Sequence, residues 1–489
     1  MLAEKVIISN VDEVYIKVDC SDGIARQLQD SFTFQVPGFQ FTPQYKARLW
    51  DGKIRLFNPI TKQLYRGLVP HLIKVCENFD YEWEYNNEIY DEELSLVEAN
   101  DFIKTISLTK EPRDYQLDAF VHAIRTRRSL LLSPTASGKS LIIYLILRYI
   151  HARANVGRTL IIVPTTSLVS QLASDFAEYG FDSDKYVHKI YSGQEKQSDK
   201  PIVISTWQSL FKLPKKFFQQ FDAVIGDEAH GFKAKSLITI MTGLTKARYR
   251  IGTTGTLDGT KTHKLVLEGL FGPVRKVITT KELMDKKHVA DMTIKCLLLK
   301  HNPSICQAAK DFTYQQEIEY LVLNDVRNKF ISNLAKSLEG NTLVLYQYVD
   351  KHGKIIYDMI NTNADDRKVF FIYGKTDVEV REETRRIVEH ERDAIIVASY
   401  GTFSTGVNIR NLHNVIFASP SKSRIRNLQS IGRSLRTSDS KTEATLYDIA
   451  DDLRHKNHEN YTLKHFTHRI QIYAEEKFKY KIYKIELKG

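Results

Sequence analysis

Hydrophobic positions in the middle of the chain come as short apolar runs separated by longer amphipathic stretches. Between residues 106 and 275 the runs are Leu130–Leu132, Leu160–Val163, Val203–Ser205 and Ala223–Ile225. Runs of this length with helical patterning between them predict strands that alternate with helices, and hence a parallel sheet covered on both faces. We therefore predict an α/β lobe over these residues.

The same pattern recurs between residues 276 and 455, which predicts a second α/β lobe in tandem with the first. Its apolar runs are Leu343–Leu345, Val369–Ile372, Ala394–Val397, Val415–Phe417 and Thr445–Tyr447. Ligands bind by preference in the cleft between two such lobes. The predicted fold class is α/β, built from two parallel-sheet lobes.

The two ends of the chain have a different character. Residues 1–105 are rich in aromatic side chains and end in an acidic stretch, Tyr90–Asp101, and we predict a small N-terminal α+β domain there. Residues 456–489 predict a short C-terminal extension. Its basic and aromatic end, Lys477–Lys488, is typical of a surface helix or an edge strand. The predicted domains are thus 1–105, 106–275, 276–455 and 456–489.

Composition indicates a class of partner and excludes several classes of protein. The 489 residues carry a formal net charge of +11, which favours nucleic acid or an acidic membrane surface as partner. The longest apolar stretch, Leu141–Leu147, is too short to span a bilayer, and the N-terminus has no secretory pattern. We therefore expect a cytoplasmic protein with no membrane partner. The four cysteines form no CxxC pair, which argues against a zinc module or a disulfide framework.

The segment SPTASGKS at residues 133–140 follows an apolar run and precedes a helical one, the context that a phosphate-binding loop requires. Small residues let the backbone wrap around phosphate oxygens, and the start of a helix adds a positive field. We expect Lys139 to reach the β- and γ-phosphates of ATP and Ser140 to ligate Mg²⁺. Ser133 stands where the usual pattern has its first glycine. The predicted nucleotide contacts of this loop are Pro134, Thr135, Ala136, Ser137, Gly138, Lys139 and Ser140.

A second apolar run ends in two carboxylates, within FDAVIGDEAH at residues 221–230. Asp227 at the tip of the strand suits a direct or water-mediated hold on Mg²⁺, and Glu228 suits positioning and deprotonating the attacking water. Upstream, Gln116 is suited to reading adenine through its amide, with Arg113 or Tyr115 flanking the base. Together with the phosphate loop, these residues predict nucleotide hydrolysis.

The segment QSIGRSLR at residues 429–436 places Gln429, Arg433 and Arg436 at helical spacing. An arginine brought from a second lobe neutralises charge on the transferring γ-phosphoryl group and is worth roughly 10³–10⁵ in rate. A solvated basic helix face would show the same spacing. Because the chain also has a phosphate loop and a second lobe, we predict arginine fingers.

Seven segments resemble, in their order along the chain, the motifs of superfamily 2 helicases. They are SPTASGKS, PTTSLVSQ (164–171), STWQSL (205–210), DEAH (227–230), TTGTL (253–257), STGVN (404–408) and QSIGRSLR. Further segments resemble the UvsW-type helicases of tailed bacteriophages, namely LWDGKIRLF (49–57), RGLV (66–69), IIVASYGTFSTGV (395–407) and YAEEKF (473–478). The resemblance implies two RecA-like lobes, hydrolysis of Mg²⁺-ATP, and work on branched DNA: branch migration, fork regression and unwinding of R-loops or D-loops.

Position by position, the resemblance implies roles for individual residues. The implied ATP site is Gln116, Lys139, Ser140, Asp227, Glu228, Gln429, Arg433 and Arg436. The implied strand-tracking set is Pro164, Thr165, Ser205, Thr206, Thr405 and Gly406. Thr254, Gly255 and Thr256 resemble the element that couples hydrolysis to lobe movement, although TGT replaces the commoner SAT. The implied partners are single-stranded, forked and branched DNA, bound by a monomer in the host cytoplasm, with phage or host replication and recombination proteins.

A basic and aromatic segment in the N-terminal part has no place among these motifs. It contains Lys46, Arg48, Trp50, Lys53 and Arg55, the last two on one face of a strand by alternation. The dipeptide at residues 51–52, Asp-Gly, predicts a hairpin turn between ARLW and KIRLF. We predict phosphate contacts with aromatic stacking at branched DNA; the alternative is a solvated strand face over a small aromatic core.

Two functional classes remain. The predicted function is an ATP-dependent DNA helicase that remodels branched DNA. The alternative is a DNA translocase ATPase of a restriction or repair complex that does not separate strands, and a strand-displacement assay distinguishes the two. A nucleic-acid-binding protein with a degenerate ATPase is disfavoured, because Lys139, Asp227, Glu228, Arg433 and Arg436 are all present.

Overall fold

The computed structural model divides the chain into two compact units. One comprises Met1–Ser133 and Gly138–Val277, and the other Pro134–Ser137 and Ile278–Gly489. The structure describes residues 5–86, 93–191, 195–362, 364, 366–405, 409, 411–419, 423, 428, 430–432 and 443–487. Within these ranges, no helix has the length and apolar character needed to cross a membrane.

The N-terminal part of the first unit is a small α+β domain, as predicted. Its strands are β1 (Lys5–Asn10), β2 (Tyr15–Asp19), β3 (Thr33–Gln35), β4 (Lys53–Arg55), β5 (Gln63–Tyr65) and β6 (Glu82–Tyr85). Its helices and helical turns are Asp22–Ser31, Phe39–Phe41, Pro43–Lys46, Arg66–Leu68, Val69–Asn78 and Leu96–Thr105. Four strands form a mixed sheet in the order β5-β2-β1-β6, and β3 pairs with β4 in a separate antiparallel ribbon.

The predicted hairpin around Asp51 and Gly52 is wrong. The ARLW segment before the turn is irregular and follows the short helix Pro43–Lys46, and β4 pairs with β3 rather than with this segment. Gly52 has a φ of +77°, and a Cβ there would lie 2.3 Å from the ring of Phe39. The glycine therefore allows the backbone to turn sharply against the ring of Phe39. Sequence alone does not distinguish such a turn from a hairpin turn.

This small domain shares its hydrophobic core with the rest of the first unit. Buried residues of β1 and β2 belong to the same cluster as Leu130, Leu160 and Phe271. A Cβ on Gly67 would lie 2.0 Å from the carbonyl oxygen of Glu268, so the two backbones approach as closely as glycine allows. The N-terminal domain is thus packed firmly onto the lobe that follows it.

The remainder of the first unit is a parallel seven-stranded sheet with helices on both sides. Its strands are β7 (Arg128–Leu132), β8 (Thr159–Val163), β9 (Val187–Ile190), β10 (Ile202–Thr206), β11 (Ala223–Asp227), β12 (Tyr249–Thr254) and β13 (Val274–Lys276), in the order β13-β7-β12-β11-β8-β10-β9. Its helices and helical turns are Asp114–Thr126, Lys139–Arg153, Thr166–Glu178, Ser183–Tyr186, Trp207–Leu210, Lys215–Phe218, Ala229–Lys233, Lys235–Gly243 and Lys261–Phe271. The four predicted strands are present, and β9, β12 and β13 are additional.

The second unit contains another parallel seven-stranded sheet. Its strands are β14 (Asp291–Lys300), β15 (Thr342–Tyr346), β16 (Val369–Ile372), β17 (Ile395–Ser399), β18 (Asn414–Phe417), β19 (Glu443–Asp452) and β20 (Lys479–Glu486), in the order β16-β17-β15-β18-β19-β14-β20. Its helices and helical turns are Thr280–Asp285, Pro303–Ala309, Tyr314–Leu323, Asp325–Ser337, Val349–Gly353, Lys354–Asn361, Val378–His390, Tyr400–Thr405 and Tyr461–Glu475.

These two sheets and the N-terminal domain confirm the predicted fold class. The basic end of the chain is the edge strand β20 of the second sheet, which was one of its two predicted forms. The division into four domains with the boundaries given above stays a prediction.

Candidate functional site

The candidate catalytic residues of the first unit follow the carboxyl ends of three neighbouring strands. The phosphate loop follows β7, Asp227 ends β11, and β12 between them ends in Thr253 and Thr254. The backbone N–H of Ser133 donates to the carbonyl of Thr254 at 2.8 Å, so the loop begins in register with the central strand. Ligands of parallel α/β sheets bind at this edge.

The phosphate loop has the backbone that its sequence requires. Gly138 has a φ of +78°, and a Cβ there would lie 2.3 Å from the side-chain nitrogen of Gln116. It is followed directly by the helix Lys139–Arg153, whose first N–H groups have no partner within the helix and attract anions. The Ser137 hydroxyl donates to the carbonyl of Pro134 at 2.6 Å, which closes the loop on itself.

Lys139 and Ser140 start this helix with different neighbours. Lys139 Nζ lies 3.5 Å from the Ser133 carbonyl oxygen and 3.9 Å from Glu228 Oε1. The Ser140 hydroxyl lies 2.9 Å from that of Tyr179. Lys139 therefore connects the phosphate loop to the acidic pair, whereas the hydroxyl of Ser140 is held by a tyrosine that the sequence did not single out.

Gln116 is buried and attached to the phosphate loop. Its Oε1 accepts from the backbone N–H of Arg113 at 2.9 Å, and its Nε2 donates to the carbonyl of Gly138 at 3.5 Å. The guanidinium of Arg113 donates to the hydroxyl of Tyr115 at 3.0 Å. The structure thus places Gln116 against the loop, with Arg113 beside Gln116; their adenine-reading role stays a prediction.

The acidic pair consists of two half-buried carboxylates with different neighbours. Asp227 Oδ1 accepts from the hydroxyl of Thr253 at 2.7 Å. The pKa of the Asp227 carboxyl is raised because burial removes water from the group and Glu228 lies beside it, while Lys139 acts in the opposite direction. Glu228 has a φ of +50°, a left-handed conformation that is uncommon for a residue with a side chain. Its Oε2 lies 3.3 Å from His230 Nδ1.

A chain of polar contacts runs from the acidic pair to the end of β12. His230 Nδ1 lies 3.1 Å from the hydroxyl of Thr254, which donates to the carbonyl of Thr256 at 3.1 Å. On its other side, the carbonyl of His230 lies 2.8 Å from His263 Nε2, and His263 Nδ1 lies 2.8 Å from Asp258 Oδ2. The predicted coupling segment therefore touches the acidic motif directly. His230 and Thr253 were present in the quoted motifs, whereas no sequence pattern indicated His263 or Tyr179.

Three family models match the chain in succession. They are "DNA helicase UvsW, N-terminal" over residues 6–86, "Type III restriction enzyme, res subunit" over residues 109–259 and "Helicase conserved C-terminal domain" over residues 325–438. Among curated proteins, the chain is 37% identical over 492 residues to the ATP-dependent DNA helicase uvsW of Enterobacteria phage T4, covering 96% of this chain and 97% of the relative.

That similarity decides the family. The chain belongs to the UvsW family of superfamily 2 helicases. A DNA 3'-5' translocase of Sulfurisphaera tokodaii is 25% identical over 69% of this chain and 81% of its own length. The crystal structure of T4 UvsW matches with a TM-score of 0.52 at 34% identity, over 99% of this chain and 100% of that one. The fold is shared by a fragment of a putative HsdR subunit of a type I restriction enzyme from Vibrio vulnificus. That structure matches with a TM-score of 0.59 at 18% identity, over 89% of this chain and 76% of that one.

The strand-tracking residues implied by the UvsW resemblance differ in what the structure shows of them. Pro164 and Thr165 follow β8, and Ser205 and Thr206 end the adjacent β10, so all four lie at one edge of the sheet. The Ser205 hydroxyl is buried and lies within hydrogen-bond distance of the carbonyls of Ile190 and Thr206, at 3.0 and 3.1 Å. In this conformation its side chain supports the strand end rather than facing a ligand.

Several residues of this UvsW-type chain lie outside the described part of the structure. These are Gly406, Gln429, Arg433 and Arg436, together with the side chain of Thr405. Their predicted roles in strand tracking and as arginine fingers stay predictions.

The basic N-terminal residues form two neighbouring groups. Lys46, Arg48 and Trp50 line an open surface pocket of about 590 Å³. Lys53 and Arg55 project from β4, and both are exposed. Trp50 Nε1 donates to the carbonyl of Lys53 at 2.9 Å, and Arg55 forms an exposed ion pair with Asp51. One of the four predicted phosphate contacts, Arg55, is thus already paired with a carboxylate.

Proposed function

We propose that this chain hydrolyses ATP to drive movement on DNA, and that it remodels branched DNA by branch migration, fork regression and unwinding of R-loops or D-loops. Membership of the UvsW family supports an ATP-dependent DNA helicase. The single observation that carries the proposal is the approach of Lys139 to Glu228, with Asp227 beside it, at the carboxyl edge of the first sheet. These are the charges that phosphoryl transfer to water requires.

The proposed roles in hydrolysis follow from position and chemistry. Lys139 neutralises charge on the γ-phosphate, and Glu228 orients the attacking water and takes its proton as the water oxygen bonds to phosphorus. The bond from phosphorus to the β–γ bridging oxygen breaks, which leaves ADP and phosphate. Gln116 reads the adenine with Arg113 beside it, and residues Pro134–Gly138 surround the phosphates. We also assign Gln429, Arg433 and Arg436 to ATP hydrolysis, with the two arginines neutralising charge on the γ-phosphoryl group.

The residues present also fit a magnesium ion. The Ser140 hydroxyl and the Asp227 carboxylate are hard oxygen donors of the type that Mg²⁺ prefers. Asp227 is half-buried with a hydroxyl rather than a cation as its hydrogen-bond partner, so a metal would compensate its charge. Ser140 and Asp227 would hold Mg²⁺ that enters with ATP, and the ion would supply positive charge at the phosphates.

We assign the coupling of hydrolysis to movement to Thr254, Gly255 and Thr256. The support is the contact of Thr254 with His230, which links this segment to the motif that holds Glu228. A change at the γ-phosphate reaches the end of β12 through that contact. Pro164, Thr165, Ser205, Thr206, Thr405 and Gly406 form the proposed path of the tracked strand.

The proposed partners are single-stranded, forked and branched DNA, bound by a monomer. The N-terminal pocket with Lys46, Arg48 and Trp50, and the adjacent Lys53 and Arg55, support a role of that domain in branch recognition. Because the T4 relative is a phage protein, we place the activity in the cytoplasm of an infected host, alongside replication and recombination proteins.

The deciding experiment measures ATPase and strand displacement on single-stranded, duplex, forked, four-way and R-loop substrates. We expect ATP hydrolysis in the presence of DNA. Strand displacement should be fastest on the branched substrates. Glu228→Gln serves as the matched inactive control, since it keeps shape but cannot accept the proton. Equal rates on branched and unbranched substrates would refute branch remodelling.

The alternative is a translocase that moves on DNA without separating strands. Two observations favour it: the restriction-subunit model over residues 109–259, and the Sulfurisphaera relative named as a translocase. ATP turnover together with displacement of a triplex-forming strand, but no product from forks or four-way junctions, would select this alternative.

A further inference from the structure

One face of the second sheet is covered at one end and open at the other. Towards the carboxyl ends of β14 and β19, Leu297 and Leu299 pack with residues of the helix Asp325–Ser337. Towards the amino ends, Thr293 on β14 and both Lys479 and Lys481 on β20 are exposed. The open part therefore belongs to the last three strands of the sheet.

Strand register concentrates cations on this open part. Lys295 of β14 lies between Lys481 of β20 and Tyr447 of β19, and Lys479 lies beside Thr293. Because side chains alternate between faces, Lys479, Lys481 and Tyr483 share one face of β20. We call Lys295, Lys479, Lys481, Tyr447 and Tyr483 the basic sheet face.

The cations of the basic sheet face lack carboxylate partners. Lys295 Nζ lies 5.4 Å from the ring centre of Tyr447, and Lys481 Nζ lies 5.3 Å from that of Tyr483. Among the residues that the structure describes, no carboxylate forms an ion pair with Lys295, Lys479 or Lys481.

Two acidic residues mark the boundary of this face. Asp291 and its register partner Glu443 lie at the amino ends of their strands, and Asp291 is bound to Lys287 at 2.7 Å. Like charges on adjacent strands destabilise a sheet. The neighbouring ammonium groups of Lys295 and Lys481 would therefore be stabilised by an anion bound over both.

We propose that the basic sheet face binds the phosphate backbone of a duplex arm of the DNA substrate. Lysines two residues apart on a strand are about 6.6 Å apart, and neighbouring strands about 4.8 Å, so the face presents a dense array of positive charge. A duplex offers a matching density, one phosphate per about 1.7 Å of its axis. The proposal rests on the proposed function, in which DNA is the polyanionic substrate of this chain.

The same residues argue for backbone contacts rather than base stacking. Tyr447 is only 7% exposed, and one face of the Tyr483 ring is occupied by Lys481. Tyr447 therefore presents no free platform to an unpaired base and Tyr483 presents at most one ring face, whereas Lys479 and Lys481 are exposed. This surface would hold an arm of a junction while the strand-tracking residues act elsewhere.

The test compares Lys295→Gln/Lys481→Gln with wild type in equilibrium binding at several salt concentrations. The probes are a short single strand and the same strand extended by a duplex arm. We expect the double variant to bind the arm-bearing probe roughly three- to tenfold more weakly, and its salt slope to decrease by about 0.9 for each lysine. Binding of the short single strand should stay within about twofold.

Lys484→Gln is the matched control for Lys481→Gln, because Lys484 lies on the same strand but on the opposite face. Thermal unfolding of each variant shows whether the sheet is intact. If the double variant loses no more arm binding than the control, the lysines only protect an edge strand from aggregation and the proposal is wrong. Equal losses on both probes would also overturn it, in favour of a single-strand contact. Absence of ATPase and unwinding by wild type would refute the proposed function, while this binding comparison stays interpretable.

Discussion

The two parallel sheets compensate the charge of their acidic residues in opposite ways. In the first sheet Asp227 stands at the end of its strand with the Thr253 hydroxyl as hydrogen-bond partner, and its pKa is raised. In the second sheet Asp451 is held by the guanidinium of Arg327 at 2.9 Å and by His301 at 3.0 Å. Burial alone would raise the pKa of Asp451, but these two groups outweigh it and bring it to about 2.

This difference in charge compensation distinguishes a candidate catalytic carboxylate from carboxylates that stabilise the fold. A buried carboxylate that is fully paired with arginine is neutralised and fixed, and it has little left to offer a ligand. Asp448 follows the same rule, since Arg469 binds it at 2.8 Å and Tyr473 donates to it at 2.9 Å. At the carboxyl edge of the first sheet, by contrast, the negative charge of Asp227 and Glu228 is only partly compensated. A cation bound together with phosphates would compensate the remainder.

The largest expected effect comes from removing the lysine of the incomplete site. Lys139→Ala should abolish measurable ATP turnover, because several kcal/mol of transition-state stabilisation depend on this charge. Its thermal unfolding should match wild type, since the lysine makes only a 3.5 Å contact with Ser133 and a 3.9 Å contact with Glu228. Steady-state ATPase assays check this, with the exposed Lys235→Ala as control. Turnover within a factor of about two of wild type would reject the assignment.

The second prediction asks whether the second unit contributes chemistry as well as support. Arg433→Ala and Arg436→Ala should each lower kcat for ATP by about 10³-fold or more with little change in ATP binding, as expected of charges that act in the transition state. Arg386→Ala, an exposed arginine paired with Glu383, is the control. Equal weakening of binding and turnover would indicate a ground-state contact, and unchanged kinetics in both variants would remove the finger role.

The third prediction tests the supporting pair directly. Asp451→Asn should lower the free energy of unfolding by about 3–5 kcal/mol, because it leaves Arg327 buried without its counter-charge. Urea unfolding measures this against Asp291→Asn, an exposed carboxylate whose loss should cost less than about 1 kcal/mol. Replacing both partners, as Arg327→Met with Asp451→Leu, should recover part of the loss. Equal stability of the two single variants would contradict the comparison.

The same pair predicts a pH dependence with a definite sign. The folded pKa of Asp451, about 2, lies below its unfolded value, so the carboxylate stabilises the fold above about pH 4. That stabilisation should be lost as the pH falls from about 4 to about 2. Asp451→Asn should lack this component, which a comparison of acid unfolding curves would show.

The sequence predicted the position of the candidate residues at the edge of the first sheet better than the supporting ion pairs of the second. Lys139, Asp227 and Gln116 occur in contiguous motifs, where local spacing fixes their relation to a strand end. Arg327 and Asp451 are 124 positions apart and meet only when a helix packs on a strand. Their pairing leaves no local pattern, as is also true of His263 beneath His230.

The residue types expected in a turn were the least reliable predictor of local structure. The Asp-Gly dipeptide at residues 51–52 predicted a hairpin on local conformational grounds. The packing of Gly52 under the Phe39 ring, and of β4 against β3 about 20 residues earlier in the chain, decided otherwise. A tertiary contact of this kind cannot be read from the turn residues themselves.

The smallest expected effect concerns the exposed charges of the N-terminal domain, which neither sheet compensates. Lys53→Ala should weaken binding to forks and four-way junctions a few-fold and reduce the salt slope by about one, because one phosphate contact is lost. Arg55→Ala should have a smaller effect, since Arg55 is already paired with Asp51. Asp51→Asn should strengthen junction binding by releasing that arginine. Fluorescence anisotropy at two salt concentrations measures all three variants.

The order of these three effects tests whether β4 contacts DNA, because each variant changes one exposed charge on the same small domain. ATPase stimulated by single strands should persist in all of them, since the domain lies outside every ATPase motif. Lys17→Ala, an exposed lysine on β2, controls for loss of positive charge in general. If Lys53→Ala and Lys17→Ala weaken junction binding equally, the domain contributes only diffuse charge. If neither has an effect, β4 is a solvated strand face, and branch recognition must lie in the pocket lined by Lys46, Arg48 and Trp50 or in the two larger sheets.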